Sequence, residues 1–231
     1  FGGSMSAADI VTALYFYRMR YDPTNPAWPE RDRFIMSKGH CVPAQYAALG
    51  MLGVLPIEEL RTLKQMGSRL QGHLTPGIEG CTGSLGQGLS YANGLALAGR
   101  LRGLDYAVYC LIGDGETQEG QVWEAAATSS KQCLGNVTAI VDWNGLKAMD
   151  ETTCGKTMEP QADRWRACGW RAREIDGHDM EDLVDALDWA YEGPADVPSV
   201  IVAHTTKGHG ISFIENHAAF HNAALTEEQI A

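Results

Sequence analysis

The chain has 231 residues, of which 45% are hydrophobic and 20% charged, enough for one well-cored α/β domain and short of two. A net charge of −11 without any basic run argues against a nucleic-acid partner. No apolar stretch is long enough to span a membrane, and no signal-peptide pattern is present. Six scattered cysteines (Cys41, Cys81, Cys110, Cys133, Cys154, Cys168) form no C-x-x-C pair, so they read as free, reduced thiols in a cytoplasmic protein. The chain begins at Phe1 without a methionine, and upstream residues are expected to be missing.

Ser6-x-x-Asp9 predicts a capping box opening an amphipathic helix to about Arg20. Tyr21 to Pro29 is a proline-rich loop, and Arg33 to Met36 a short strand that ends at Ser37-Lys38-Gly39-His40. Helices are expected over Pro43–Leu52 and Pro56–Lys64. Gly72 to Gly88 is too irregular for helix or strand and leads into a small-residue helix, Leu89–Arg102. Two apolar runs, 107–112 and 137–141, are buried strands, with a crossover helix over Gln121–Cys133 between them. A polar segment, Leu146–Pro160, precedes a short helix at Asp163–Cys168, a strand at Arg171–Ile175, a helix at Asp179–Tyr191 and a strand at Ser199–His204. The tail from Thr205 to Ala224 is loop-like and rich in histidine, and Thr226-x-x-Gln229 could cap a last helix. Strands alternating with helices predict a doubly wound parallel sheet with helices on both faces, in a single domain over residues 1–231.

The most informative feature is Gly113-Asp114-Gly115 after the first buried strand, followed by Asn144-Gly145-Leu146 after the second. Both triplets fall at the carboxyl edge of a parallel sheet, where ligands bind in this architecture. Gly-Asp-Gly alone would serve equally as a strand-to-helix turn. Paired with the Asn, it points to a site for a metal and a diphosphate. A carboxylate, an amide oxygen and a carbonyl are hard ligands suited to Mg²⁺, and the glycines allow close approach of backbone to phosphate.

This spacing resembles the thiamine-diphosphate signature. With Gln71-Gly72-His73, Thr82-Gly83-Ser84-Leu85-Gly86-Gln87-Gly88, Glu116-Thr117-Gln118-Glu119-Gly120 and Asp176-Gly177-His178-Asp179, nearly the whole chain resembles the N-terminal, diphosphate-binding subunit of a split transketolase. The resemblance implies that Asp114, Asn144 and the carbonyl of Leu146 hold Mg²⁺ and that Gly115 contacts the diphosphate. It implies further that Gly83, Ser84 and Leu85 hold the aminopyrimidine and thiazolium through backbone groups. His40 would lie by the cofactor, His73 by both the cofactor and the ketose, and His221 by the diphosphate and substrate, although Asn222 stands where a glycine is usual. Glu119 and Glu124 match carboxylates facing the partner; an exposed helix face explains them equally well. The alternatives for His40 and His73 are structural hydrogen bonds, and His217 with His221 makes no convincing metal pair. Lys207 and His209 receive no role.

The glutamate that activates the aminopyrimidine belongs, in this family, to a second domain absent here. The resemblance therefore implies a separate C-terminal subunit, in an α2β2 heterotetramer that works on sugars or sugar phosphates. Competing readings are a decarboxylating or 1-deoxyxylulose-phosphate-type thiamine enzyme, and a non-catalytic regulatory homologue. A Rossmann-type nucleotide binder lacks its G-x-G-x-x-G. The short loop from His73 to Thr75 and the divergent Lys147–Lys156 segment put the ordinary pentose-phosphate substrates in doubt.

Overall fold

The computed structural model describes residues 2–71, 78–80, 82–146, 160–221 and 226–230. The five expected strands pair in one all-parallel sheet. They are β1 (Arg33–Met36), β2 (Val108–Gly113), β3 (Val137–Trp143), β4 (Arg171–Asp176) and β5 (Ser199–His204), in the order β1-β2-β3-β5-β4. β2 and β3 are buried along their full length, which is why they read as unbroken apolar runs.

Side chains leave the sheet alternately to its two faces, and each face has its own core. Phe34, Met36, Tyr109, Leu111, Ile140 and Ile201 pack against α2 (Ala8–Ala13), α3 (Val42–Met51) and α7 (Met180–Tyr191). Ile35, Cys110, Ile112, Val141, Val200 and Val202 pack against α4 (Gly88–Arg102), α5 (Gly120–Lys131) and α6 (Gln161–Ala167). Asp179 caps α7, its carboxylate accepting from the backbone N–H of Glu181 (2.8 Å) and Asp182 (3.2 Å). Among the described residues no helix is long and apolar enough to cross a membrane.

Three expectations change. The single helix over residues 6–20 is instead α1 (Gly2–Ser6), α2 and a π turn at Leu14–Arg18. Ser6 caps nothing: its single hydroxyl hydrogen is shared between the Gly3 carbonyl (3.0 Å) and, at closer range, the buried Asp142 carboxylate (2.7 Å). Ser6 is the last residue of α1 and the backbone runs on in helical conformation through Ala7, so its hydroxyl serves a buried carboxylate, which needs donors. Asp9, the other half of the expected box, pairs with His178. The segment 56–64 forms a 3₁₀ turn, Ile57–Thr62, none of whose residues is buried, so no packed face extends it into an α-helix. The tail contains a 3₁₀ turn at Ala218–His221. At the far end, Thr226 and Gln229 do cap reciprocally: the Thr226 N–H donates to Gln229 Oε1 (3.0 Å) and the Gln229 N–H to Thr226 Oγ1 (3.2 Å), opening α8 (Glu227–Ile230).

Candidate active site

Gly113 pairs with Asp142 at the ends of β2 and β3, and the Asp114 N–H continues the ladder to the Asp142 carbonyl (3.2 Å). Asp114 is buried and caps the 3₁₀ turn Gly115–Gln118, accepting from the Gly115 N–H at 2.6 Å. Just past β3, Asn144 Oδ1 accepts from the Leu146 N–H (3.1 Å), an Asx turn that presents the Leu146 carbonyl. Adjacent strand ends thus bring together a carboxylate, an amide oxygen and a carbonyl. This all-oxygen donor set fits a small hard cation such as Mg²⁺.

Two lysines reach the same edge. Lys38 follows β1 and forms a buried ion pair with Asp142, at side-chain exposures of 2% and 0%. Asp142 also accepts from Ser6 and from the Thr205 hydroxyl, so one carboxylate ties α1, β1, β3 and the segment after β5. Burial works against the Lys38 charge, but the Asp142 carboxylate outweighs it and raises the lysine pKa. Burial likewise opposes the Asp142 charge, and Lys38 overcomes it, leaving that pKa below the usual carboxylate range. Lys207 donates to the Leu146 carbonyl (3.1 Å) and to His221 Nδ1 (2.7 Å). Its pKa is lowered by burial and by the neighbouring Lys38 charge.

The imidazoles of His40 and His221 lie side by side, ring centroids 4.7 Å apart. Burial, reinforced by Lys38, holds His40 down to about 3; burial and Lys207 hold His221 down to about 4. Both rings are neutral at pH 7. An ammonium has only hydrogens to offer, so His221 Nδ1 accepts from Lys207 and its proton sits on Nε2. Gly39, the residue before His40, packs against the glycine-rich loop: a Cβ there would stand 2.7 Å from the Gly83 nitrogen and 2.8 Å from Thr82 Oγ1. Ser84 and Leu85 are exposed at the tip of that loop, and Gly115 is half-buried beside Asp114.

Asp114, Asn144, Leu146, His40, His221 and the Gly83–Leu85 loop therefore surround one sheet edge. Glu119 and Glu124 are exposed at the start of α5. His73, its short loop to Thr75, and the Lys147–Lys156 segment lie outside the described residues, as do Cys81, Cys154 and Asn222. His217 is exposed near Phe220.

Sequence reasoning missed Lys38, Asp142, Ser6, Thr205 and the role of Lys207. The signals were present but weak: Lys38 lies inside Ser37-Lys38-Gly39-His40, and Asp142 is two residues before Asn144. Among the described residues, ligand atoms of Asp9, His178 and His209 lie within 4.8 Å of one another. His178 Nε2 accepts from the Thr206 N–H (2.7 Å), so its proton is on Nδ1 and is donated to Asp9 (2.8 Å). With both ring nitrogens engaged, His178 is a brace holding the segment that carries Lys207, and no metal ligand.

A parallel sheet with oxygen ligands, lysines and neutral imidazoles gathered at its carboxyl edge defines a cofactor-binding α/β enzyme domain. Over residues 1–231 the chain matches the family described as transketolase, thiamine diphosphate binding domain, and it belongs to that family. It is 46% identical to the 6-deoxy-6-sulfo-D-fructose transketolase subunit SqwG of Clostridium sp. (strain MSTE9), aligning over 98% of this chain and 84% of that one. It is 42% identical to a subunit of the apulose-4-phosphate transketolase of Phocaeicola vulgatus, over 99% and 82% of the two chains. Its fold superposes on transketolase from Leishmania mexicana with a TM-score of 0.87 and 33% identity, covering 98% of this chain but only 39% of that one.

Proposed function

We propose that residues 1–231 form a single domain, the cofactor-binding subunit of a split transketolase. With a separate C-terminal subunit it moves a two-carbon ketol unit from a ketose to an aldose, the substrates being sugars or sugar phosphates. The observation that carries this reading is the convergence of the cation-type oxygens, Lys38, Lys207 and two neutral imidazoles on one strand edge. The two relatives that align over nearly all of this chain are named as transketolase subunits, which supports a divided enzyme.

In this reading Asp114, Asn144 and the Leu146 carbonyl hold Mg²⁺. The Gly115 backbone, Lys207 and His221 face the diphosphate, and Gly83, Ser84 and Leu85 offer backbone groups to the rings of the cofactor. Thiamine diphosphate, when bound, supplies the carbanion stabilisation that the protein's own side chains lack. His40 and His221, neutral at working pH, hydrogen-bond substrate oxygens and shift protons between them. His221 does so from Nε2–H, because Lys207 occupies its other nitrogen. His73 takes the position beside the ketose, and Glu119 meets the partner. The partner supplies the carboxylate that activates the aminopyrimidine, in an α2β2 assembly working in the cytoplasm.

Calorimetric titration of thiamine diphosphate with Mg²⁺, on this chain alone and with its partner, tests the reading. Binding that tightens strongly with the partner is expected. Absence of binding in both samples would overturn it.

A further inference from the structure

We propose that Glu116 is a positioning residue of the cofactor site, its buried carboxylate clasping the Gly83–Gly88 loop to the ends of β1 and β2. The inference rests on the cofactor-binding reading above and names a residue that touches neither cofactor nor substrate.

Glu116 is 2% exposed, and both of its oxygens are engaged. Oε1 accepts from the Ser37 hydroxyl, just past β1, and from the Gly86 N–H at 2.8 Å. Oε2 accepts from the Gly113 N–H at 3.0 Å, on the last residue of β2. Ser37 Oγ in turn accepts from the Gly88 N–H at 3.1 Å. Two of the loop's amides therefore end on this network, one directly and one through Ser37.

Within the loop, Gln87 Nε2 donates to Ser84 Oγ at 3.4 Å. Ser84 and Leu85 are exposed at its tip and add little to the core of this chain. Gly86 sits at φ +87°, and a Cβ there would stand 2.8 Å from Glu119 Cβ, so the loop passes close over the start of α5 only because the residue is glycine. A loop fixed by polar anchors and not by a packed core depends on each anchor. The consequence is functional because Gly83–Leu85 is, in the reading above, the segment set against the cofactor rings. Asp114, two residues before Glu116, belongs to the cation and diphosphate end. One carboxylate thus sets the distance between the two ends of the site.

A carboxylate offers acceptors on both sides; a carboxamide offers one acceptor and one donor. In Glu116→Gln the new NH₂ must face a backbone N–H on one side or the other, at nearly unchanged volume. The first measurement is hydrogen exchange of the assembled enzyme without ligand. Amides of residues 83–88 are expected to exchange roughly tenfold faster in Glu116→Gln, with the β2–β3 amides other than that of Gly113 unchanged. The second measurement compares two probes by calorimetry, thiamine diphosphate and inorganic diphosphate, each with Mg²⁺. The affinity ratio between them is expected to fall roughly tenfold, since only the first probe needs the loop. Ser37→Ala, which removes the indirect arm, should shift both readouts the same way by a smaller factor of about three. Unchanged loop exchange, or equal loss for the two probes, would overturn the clasp. Failure of the wild-type assembly to bind thiamine diphosphate would instead overturn the cofactor reading, and the exchange experiment would still decide the role of Glu116.

Discussion

Replacing Lys38 with methionine keeps most of the side chain's volume and removes the ammonium paired with Asp142. The pair is nearly inaccessible, so the loss is not softened by water. Breaking a buried ion pair by deleting one partner costs about 3–5 kcal/mol. Here Asp142 keeps the hydroxyls of Ser6 and Thr205 as donors, which places the expected loss near the lower end, about 3 kcal/mol. For a domain of this size that is a fall of roughly 6–12 °C in Tm. Urea unfolding at several pH values is the assay. In the wild type, Asp142 has a folded-state pKa below its unfolded value; its stabilisation is present above the unfolded pKa and lost as pH falls through the folded one. In Lys38→Met the carboxyl keeps the two hydroxyls, the Asn144 amide at 3.5 Å and the more distant Lys207 charge, against which burial pushes it upward. The gap between the two proteins should then be full at neutral pH, narrow as the variant's carboxyl takes up its proton, and close further only below the unfolded pKa of about 3.9, where the wild type loses its own stabilisation. Adding Asp142→Asn to the variant should recover part of the loss. A deficit under about 1 kcal/mol, or one that does not change with pH, would refute the buried-charge account.

Asp114→Ala should abolish Mg²⁺-dependent binding of thiamine diphosphate in calorimetry, and unchanged affinity would remove the metal-ligand role. His73→Ala should lower turnover more than cofactor affinity; an unaffected rate would leave His73 structural. Gly39→Ala should drive the loop away from the end of β1, because its Cβ would stand 2.7 Å from the Gly83 nitrogen. About 2 kcal/mol of stability and most cofactor affinity should go with it, read by thermal unfolding and calorimetry. NMR titration of the ligand-free protein should find His40 neutral down to about pH 3 and His221 to about pH 4. Because these values lie below that of an unfolded histidine, stability should decline as pH falls from about 6.5 toward 4, where the unfolded chain takes up the protons first. An ordinary titration near 6.5 for His40 would show that its ring is not desolvated as described.

The strands and their parallel pairing were legible in the chain itself. Val108–Gly113 and Val137–Trp143 are buried on both faces, and a strand buried on both faces reads as a near-continuous apolar run, a pattern that needs no partner to be read. The placing of Asp114 and Asn144 at the strand ends was legible for the same reason, since each directly follows such a run. The local helix signals were less reliable. Ser6-x-x-Asp9 has the form of a cap, but both side chains are claimed by groups far along the chain, Asp142 and His178. A pattern of four residues cannot announce a partner more than a hundred positions away.

The electrostatic arrangement of the site belongs wholly to the tertiary structure. Lys38 and Asp142 are separated by over a hundred residues and meet only because β1, β2 and β3 are neighbours in one sheet. Glu116 read as one more acidic residue in a turn until the fold placed Ser37, Gly86 and Gly113 around it. The neutrality of His40 and His221 likewise follows from burial beside two ammonium groups drawn from opposite ends of the chain. Hydrophobic periodicity is a local property and survives in the sequence; charge pairing, desolvation and hydrogen-bond satisfaction exist only once distant segments share a volume, and there the fold decided.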